Sequence, residues 1–466
     1  MRKVVVVLVV LIIGLVGAYV GAGFMAPPAI EIVKPAKFVG AATPIEVVVT
    51  SPGPGQVTAR VEFEQNGTRT PLVVREPSRP VPGAPPPAPD PNVAQDESGT
   101  LRLTQTLGRQ NVPALQTGPA RIVVTASRPV LYGLRRLTTE SARDVVVRLE
   151  QPRVSVMSTH HFINVGGTEL VVYRVAPADV ASGVVVGDIE YPGFAASGVT
   201  VDGIRIADPA VRVAFFALLH DQPVTTPIRL FARDEAGNAG RADFEYKVFP
   251  KPFKQSRIEL PDALLDRVVP AILAGTTEIA PTGSTIERFV AINSELRRLN
   301  NAKIASFAAQ TAPELLWRGV VFHPFSNNAV ESAFADRRTY LYQGREVDRQ
   351  VHLGFDLASY AQTPIVAANA GKVLFAAELG IYGNCVIIDH GMGLQSLYAH
   401  LSSMDVQAGA TVAKDQAIGR SGITGMAGGD HLHFTMLVNG QMVNPVEWWD
   451  SHWIEDRILR KLRAAQ

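Results

Sequence analysis

The sequence predicts a mainly β chain: an N-terminal membrane helix, two β-sandwich (Ig-like) modules, a helical hairpin and a C-terminal β-sheet domain. Three observations predict it. An uncharged apolar run opens the chain, β-branched segments separated by Gly and Pro fill its first half, and His and Asp gather on alternating segments near its end. At ~150 residues per domain, the 466 residues suggest about three domains. A hydrophobic content of 47% against 19% charged residues is enough for several cores and excludes global disorder. Lys plus Arg number 44 and Asp plus Glu 43, so the basic footprint of a nucleic-acid partner is missing. A single cysteine, Cys385, excludes an intrachain disulfide, a CxxC redox pair and a Cys-based zinc finger. It lies in an apolar string, CVII, and is expected to be buried and inert.

Residues 1–28 form a transmembrane anchor or a signal peptide. Arg2-Lys3 precede an apolar run from Val4 to Met25, with no charge until Glu31. At ~1.5 Å per residue that run spans roughly 33 Å, enough for a bilayer core. Val20-Gly21-Ala22 offers a cleavage site, but signal h-regions are usually about 7–15 residues, so an uncleaved anchor is expected. Either way Arg2 and Lys3 stay cytoplasmic and the rest is exported. No cysteine follows the run, which excludes a lipoprotein anchor.

Residues 29–150 read as a first sandwich module, with VVVT, VTARVEF and RIVVT as strands. Asn66-Gly67 is a hairpin turn, because both central residues of a type I′ turn need positive φ. The Pro-rich loop 76–91 is exposed. Residues 151–250 read as a second module ending in a hairpin at Gly237-Asn238. His160-His161 lacks a carboxylate at ligand spacing and reads as a surface or turn position. Residues 251–315 form a helical hairpin linker: one helix from Pro261 to Gly275, and a second opened by the capping box Ser284-Thr-Ile-Glu287. Its apolar face, with Ile286, Phe289, Val290, Ile304 and Phe307, must pack on something. Packing on the β modules makes it a spacer, the plainer reading; packing across the segment that follows makes it a lid. Residues 316–450 carry the chemistry, and 451–466 form a helical tail.

The chemistry rests on three strings, QVHLGFDLA (350–358), SLYAHL (396–401) and DHLHFTM (430–436). As strands, each sends alternate residues to one face. His352, Gly354 and Asp356 share one face, the glycine leaving room for an ion; Tyr398 and His400 share a second; His431, His433 and Thr435 share a third. Imidazoles and a carboxylate on one polar surface suit zinc better than calcium, and a catalytic zinc takes three protein ligands. Two histidines then remain for proton transfer or transition-state stabilisation. Asp430 either orients an imidazole or ends a loop. His323 and His452 are structural or exposed.

The strings VHLGFDLAS, YGNCVIIDHGMGLQSLYAHLS and GGDHLHFTMLVNGQMVNP make the segment from about Trp317 to Trp449 resemble the lysostaphin-type zinc endopeptidases, which cut peptide cross-bridges of bacterial peptidoglycan. The resemblance implies a C-terminal β-sheet zinc peptidase domain of the duplicated hybrid motif fold, with one Zn2+ per chain. By motif position His352, Asp356 and His433 are the metal ligands and His400 and His431 the catalytic, non-ligand histidines. His390 matches a family histidine that supports a turn, and Asp415 stands where the family usually has glycine. The implied protein is an inner-membrane, single-pass enzyme with residues 29–466 on the periplasmic or extracellular side. Its partners are peptidoglycan peptides, the membrane through residues 4–25, an unidentified protein regulator, and no nucleic acid. The alternative is a non-catalytic wall-binding or hydrolase-activating member of the same fold.

Overall fold

The structure, a computed structural model, describes residues 2–52, 56–76, 91–96, 99–326 and 328–466. It is mainly β and separates into two compact units, residues 1–151 with 233–239 and residues 152–232 with 240–466. Helix α1 spans Arg2–Ala22. Its Val5–Ala22 stretch, of mean hydropathy 2.8, is the one helix among the described residues long and apolar enough to cross a bilayer. From Val5 onward its Val, Leu and Ile side chains are exposed rather than packed.

In the first unit, a sheet ordered Ala29–Lys34, Ala42–Thr50, Leu101–Gly108, Val93–Gln95 shares a core with a second ordered Phe38–Val39, Arg135–Val147, Gly118–Val130, Thr58–Gln65, Thr68–Arg75. Alternation supplies that core: Ile45, Val47 and Val49 from one sheet meet Ala59, Val61 and Phe63 from the other. Asn66 and Gly67 sit at φ 52° and 76°, closing a two-residue hairpin as their identities predict. The Pro-rich stretch 76–91 lies, apart from its ends, outside the described residues.

The second unit opens with two four-stranded sheets and a short parallel pair, His161–Asn164 with Tyr246–Phe249. The helical segment follows: α2 (Asp262–Gly275), α3 (Thr285–Ala291), a π-helical turn (Ile292–Leu296) and α4 (Arg297–Ser306). The Ser284 capping box forms, with Ser284 Oγ accepting from Glu287 N and the Glu287 carboxylate accepting from Ser284 N. Residues 251–315 are not helical throughout. Gln255–Glu259 is a strand that runs parallel to Asp336–Tyr342, a pairing about 80 positions away that no local pattern announces. The remaining chain builds a large sheet ordered Ala329–Ser332, Phe355–Ala358, Leu432–Val438, Leu394–Leu401, Asn384–Gly391, Gly371–Glu378, Thr411–Val412.

One continuous core runs through all of this unit, joining Val171 and Phe215 of the β sheets, Leu265, Val268, Phe289 and Leu296 of the helices, and Leu357, Leu397, Phe434 and Trp448 of the large sheet. Buried polar contacts reinforce it. Glu447 accepts from Asn164 Nδ2 and Thr168 N, both at 2.8 Å. Burial pushes its carboxyl up to about 7, although both bonds favour the anion. Lys461 Nζ meets Glu169 Oε1 at 2.7 Å, with side-chain exposures of 4% and 0%. Removing one partner of such a pair leaves the other charge stranded in the interior. Lys461→Met is therefore expected to cost about 3–5 kcal/mol, measured by urea denaturation of the full chain.

Candidate active site

Two sheets meet at the site. His352 ends the strand Arg345–His352, which belongs to a three-stranded sheet with Gln255–Glu259 and Asp336–Tyr342. Asp356 lies in Phe355–Ala358 of the large sheet, directly opposite His433 across an antiparallel pair. The string 350–358, expected as one strand, is thus broken at Leu353-Gly354. A Cβ on Gly354 would lie 2.4 Å from His433 Nε2, so this glycine makes room for an imidazole rather than for an ion.

Three donor atoms converge. His352 Nε2 lies 2.9 Å from Asp356 Oδ1 and 3.0 Å from His433 Nδ1, which is itself 3.1 Å from Asp356 Oδ1. The surroundings fix what each atom presents. The Ala333 carbonyl accepts from His352 Nδ1 at 3.2 Å, leaving Nε2 with a lone pair. Arg338 Nη2 holds Asp356 Oδ2 at 3.1 Å and Ser332 Oγ at 2.7 Å, so Oδ1 alone turns inward. A carboxylate oxygen and an imidazole lone pair facing each other at hydrogen-bond distance repel unless a proton or a cation lies between them. His352, Asp356 and His433 fit a metal ion on this ground, and their three ligand atoms lie within 4.8 Å of one another. Burial alone would raise the Asp356 carboxyl, but the imidazoles of His352, His431 and His433 around it hold it well below the usual carboxylate range. Burial pushes His433 down to about 4.

His400 and His431 stand beside this trio, their rings 4.9 Å apart. His400 Nδ1 donates to the Thr424 carbonyl at 2.8 Å and His431 Nδ1 to the Gly429 carbonyl at 2.9 Å, so each ring keeps Nε2 for contacts away from the backbone. His431 Nε2 lies 3.4 Å from Asp356 Oδ1. Burial, then the neighbouring His431 and His433, takes His400 well below the ordinary imidazole range. Burial also opposes charge on His431, but the hydrogen bond and charge of Asp356 raise it.

Other expectations are revised here. Tyr398 does not share a face with His400: its ring packs on Phe434, and its hydroxyl accepts from Ala368 N. Register puts Ala399, not His400, opposite His433. His400 reaches the site because its backbone takes φ 63° beside a register shift, a left-handed conformation rare outside glycine. Asp430 binds Gln362 N and Ser421 Oγ and touches no imidazole, so it ends a loop. His161 is buried, bonded to Ser158 Oγ and the Glu245 carbonyl, rather than on the surface. His390 bridges the Ala370 carbonyl and Ser396 Oγ, and Cys385 is fully buried. Asp415 takes φ 65°, the conformation for which the family's glycine is suited. The reading of the sequence missed Arg338, whose string DRRTY has no spacing signal; only the fold brings it to Asp356.

The five site residues are 5–8% exposed. They line a cavity of about 240 Å³ together with Ile258 and Leu260, Leu264 of α2, Phe289 of α3, and Arg297 of α4. The helical segment therefore packs across the site, the second of the two arrangements considered above.

The site is thus a sheet floor carrying a His-Asp-His trio able to hold a metal ion, with two further imidazoles beside it. Residues 350–445 match Peptidase family M23, and the chain carries a domain of that family. DD-carboxypeptidase/endopeptidase Mpg of Neisseria meningitidis is 43% identical over 97 residues, 21% of this chain and 22% of that protein. Peptidoglycan DD-endopeptidase ShyA of Vibrio cholerae is 38% identical over 96 residues, 21% and 22% of the two chains. The chain thus spans about a fifth of the length of these relatives. The catalytic domain of lysostaphin from Staphylococcus simulans is 27% identical at a TM-score of 0.23, over 26% of this chain and 92% of that one.

Proposed function

We propose that the chain is a zinc-dependent endopeptidase that hydrolyses peptidoglycan cross-links between D-residues. On this reading it is held in a bacterial inner membrane by residues 4–25, with residues 29–466 on the periplasmic or extracellular side. The observation that carries the reading is the convergence of His352, Asp356 and His433 beside two imidazoles whose Nδ1 atoms are tied to backbone carbonyls. The names of Mpg and ShyA support the substrate class. When bound, zinc supplies a Lewis acid for the scissile carbonyl and a water acidic enough to attack at neutral pH. His352, Asp356 and His433 hold it, and Arg338 keeps Asp356 in place. His400 and His431 divide two tasks, taking the proton of the attacking water and steadying the carbonyl oxygen. Each is oriented by its bond to a backbone carbonyl.

The covered cavity favours a second reading, a non-catalytic wall-binding or hydrolase-activating protein. Digestion of purified peptidoglycan by the full chain in detergent, with mass spectrometry of released peptides, separates the two. The expected result is peptide products, about one zinc per chain, and complete loss of hydrolysis on chelation. A stoichiometric metal outside the first transition row, or intact peptidoglycan after prolonged digestion, overturns the zinc-endopeptidase reading.

A further inference from the structure

Two guanidinium groups line the cavity, and one of them, Arg338, is already paired with Asp356. The other is Arg297, the first residue of α4, and it shares the cavity lining with the apolar Leu264, Phe289, Ile381 and Met426. A cation among apolar side chains needs a reason. No ion pair among the described residues includes Arg297, yet its guanidinium is held firmly. Nε donates to the Asn293 carbonyl at 2.9 Å and Nη2 to Asn293 Oδ1 at 2.6 Å. Asn293 is fully buried and in turn donates to Asp348 Oδ2 at 2.7 Å, on the strand that ends in His352.

The helix is deformed where this happens. Asn293 lies in the π-helical turn Ile292–Leu296, a rare widening that recurs at functional sites because it re-aims side chains at the cost of regular bonds. Arg297 is also near the reacting centre. Its charge bears on Tyr382, and the Tyr382 ring meets His433 edge-on with centroids 5.7 Å apart. A planar guanidinium, fixed on one edge by an asparagine and carrying no partner carboxylate, is suited to receive one from a ligand.

We infer that Arg297 is a substrate-binding residue that takes a free carboxylate carried next to the scissile bond, and that Asn293 is its positioning residue. The helical segment is then one wall of the substrate site as well as its cover. The inference rests on the proposed peptidase reading and deepens it, since it specifies peptides with a free carboxylate on the residue that supplies the leaving amine. In a D,D-linked peptide that position carries a carboxylate whether the bond is terminal or part of a cross-link.

The test is equilibrium binding of two probes to the zinc-loaded full chain in detergent: N-acetyl-D-alanyl-D-alanine and its C-terminal carboxamide. The wild-type chain is expected to bind the acid about tenfold or more tighter than the amide, the range of a hydrogen bond between charged groups. Arg297→Gln removes that preference and leaves the amide's affinity and the zinc content unchanged, Arg297→Lys restores part of it, and Asn293→Ala weakens it. Equal affinity for acid and amide in the wild type, binding of neither probe, or a preference that survives Arg297→Gln overturns the inference. Hydrolysis is measured beside binding, so the two proposals fail separately. Cleavage without acid preference sinks this one alone, and acid preference without cleavage sinks only the peptidase reading.

Discussion

His433→Ala is expected to lose both metal and activity, whereas His400→Ala and His431→Ala keep the metal and lose turnover by ~100-fold or more. The division follows from which atoms converge. His433 Nδ1 lies within 3.1 Å of both other donors, while His400 and His431 sit outside the trio with Nδ1 bonded to backbone carbonyls. Removing one of three ligands leaves two, too few to retain a catalytic zinc. Removing His400 or His431 leaves the coordination set whole and takes away a proton acceptor or an oxyanion donor. Metal content by mass spectrometry and peptide release on the same preparations read the two effects apart. A metal-free His400→Ala protein with an intact fold would show that the roles are divided differently.

Arg267→Ala is expected to raise activity on peptidoglycan severalfold. Arg267, on α2, donates from Nη2 to the Ala427 carbonyl at 2.6 Å and from Nη1 to the Ile423 carbonyl at 3.4 Å. Both acceptors lie on the loop that leads into His431, so this side chain latches the helical segment to the rim of the site. A cavity of about 240 Å³ falls below the ~300–1,000 Å³ usual for small-molecule pockets, and a cross-linked peptide is larger still. The cover must therefore open for catalysis, and weakening its latch by about 1 kcal/mol enlarges the open population about fivefold. Arg298→Ala is the control: that residue is exposed on α4 and, among the described residues, pairs only with Glu295. An Arg267→Ala enzyme no faster than wild type on intact peptidoglycan would remove the restraint from the account.

Much of this was legible in the sequence, for reasons that differ by element. Asn66-Gly67 and the Ser284–Glu287 box act within four residues, so local chemistry decides them. The H-x-x-x-D and H-x-H strings survive as a trio because antiparallel register places Asp356 opposite His433. Period-2 reasoning failed at His400, where a left-handed residue beside a register shift turns the side chain across the sheet, and no alternation pattern encodes such a turn. Arg338, Arg297 and the strand Gln255–Glu259 were illegible for another reason. Each acquires its meaning from a partner distant in sequence.

The buried contacts of Glu447 and Lys461 with the sheets around residues 164–170 bear on how the catalytic part can be transplanted. A fusion protein cut to begin near residue 316 would strip Trp448 and Glu447 of their packing and leave an apolar scar facing water. A portable form of the M23 domain from this chain has to start near residue 152 and bring both β sheets with it. The same continuity means that a protease nick between sheets and peptidase would not shed a free, diffusing enzyme, because the pieces stay clasped through their common interior.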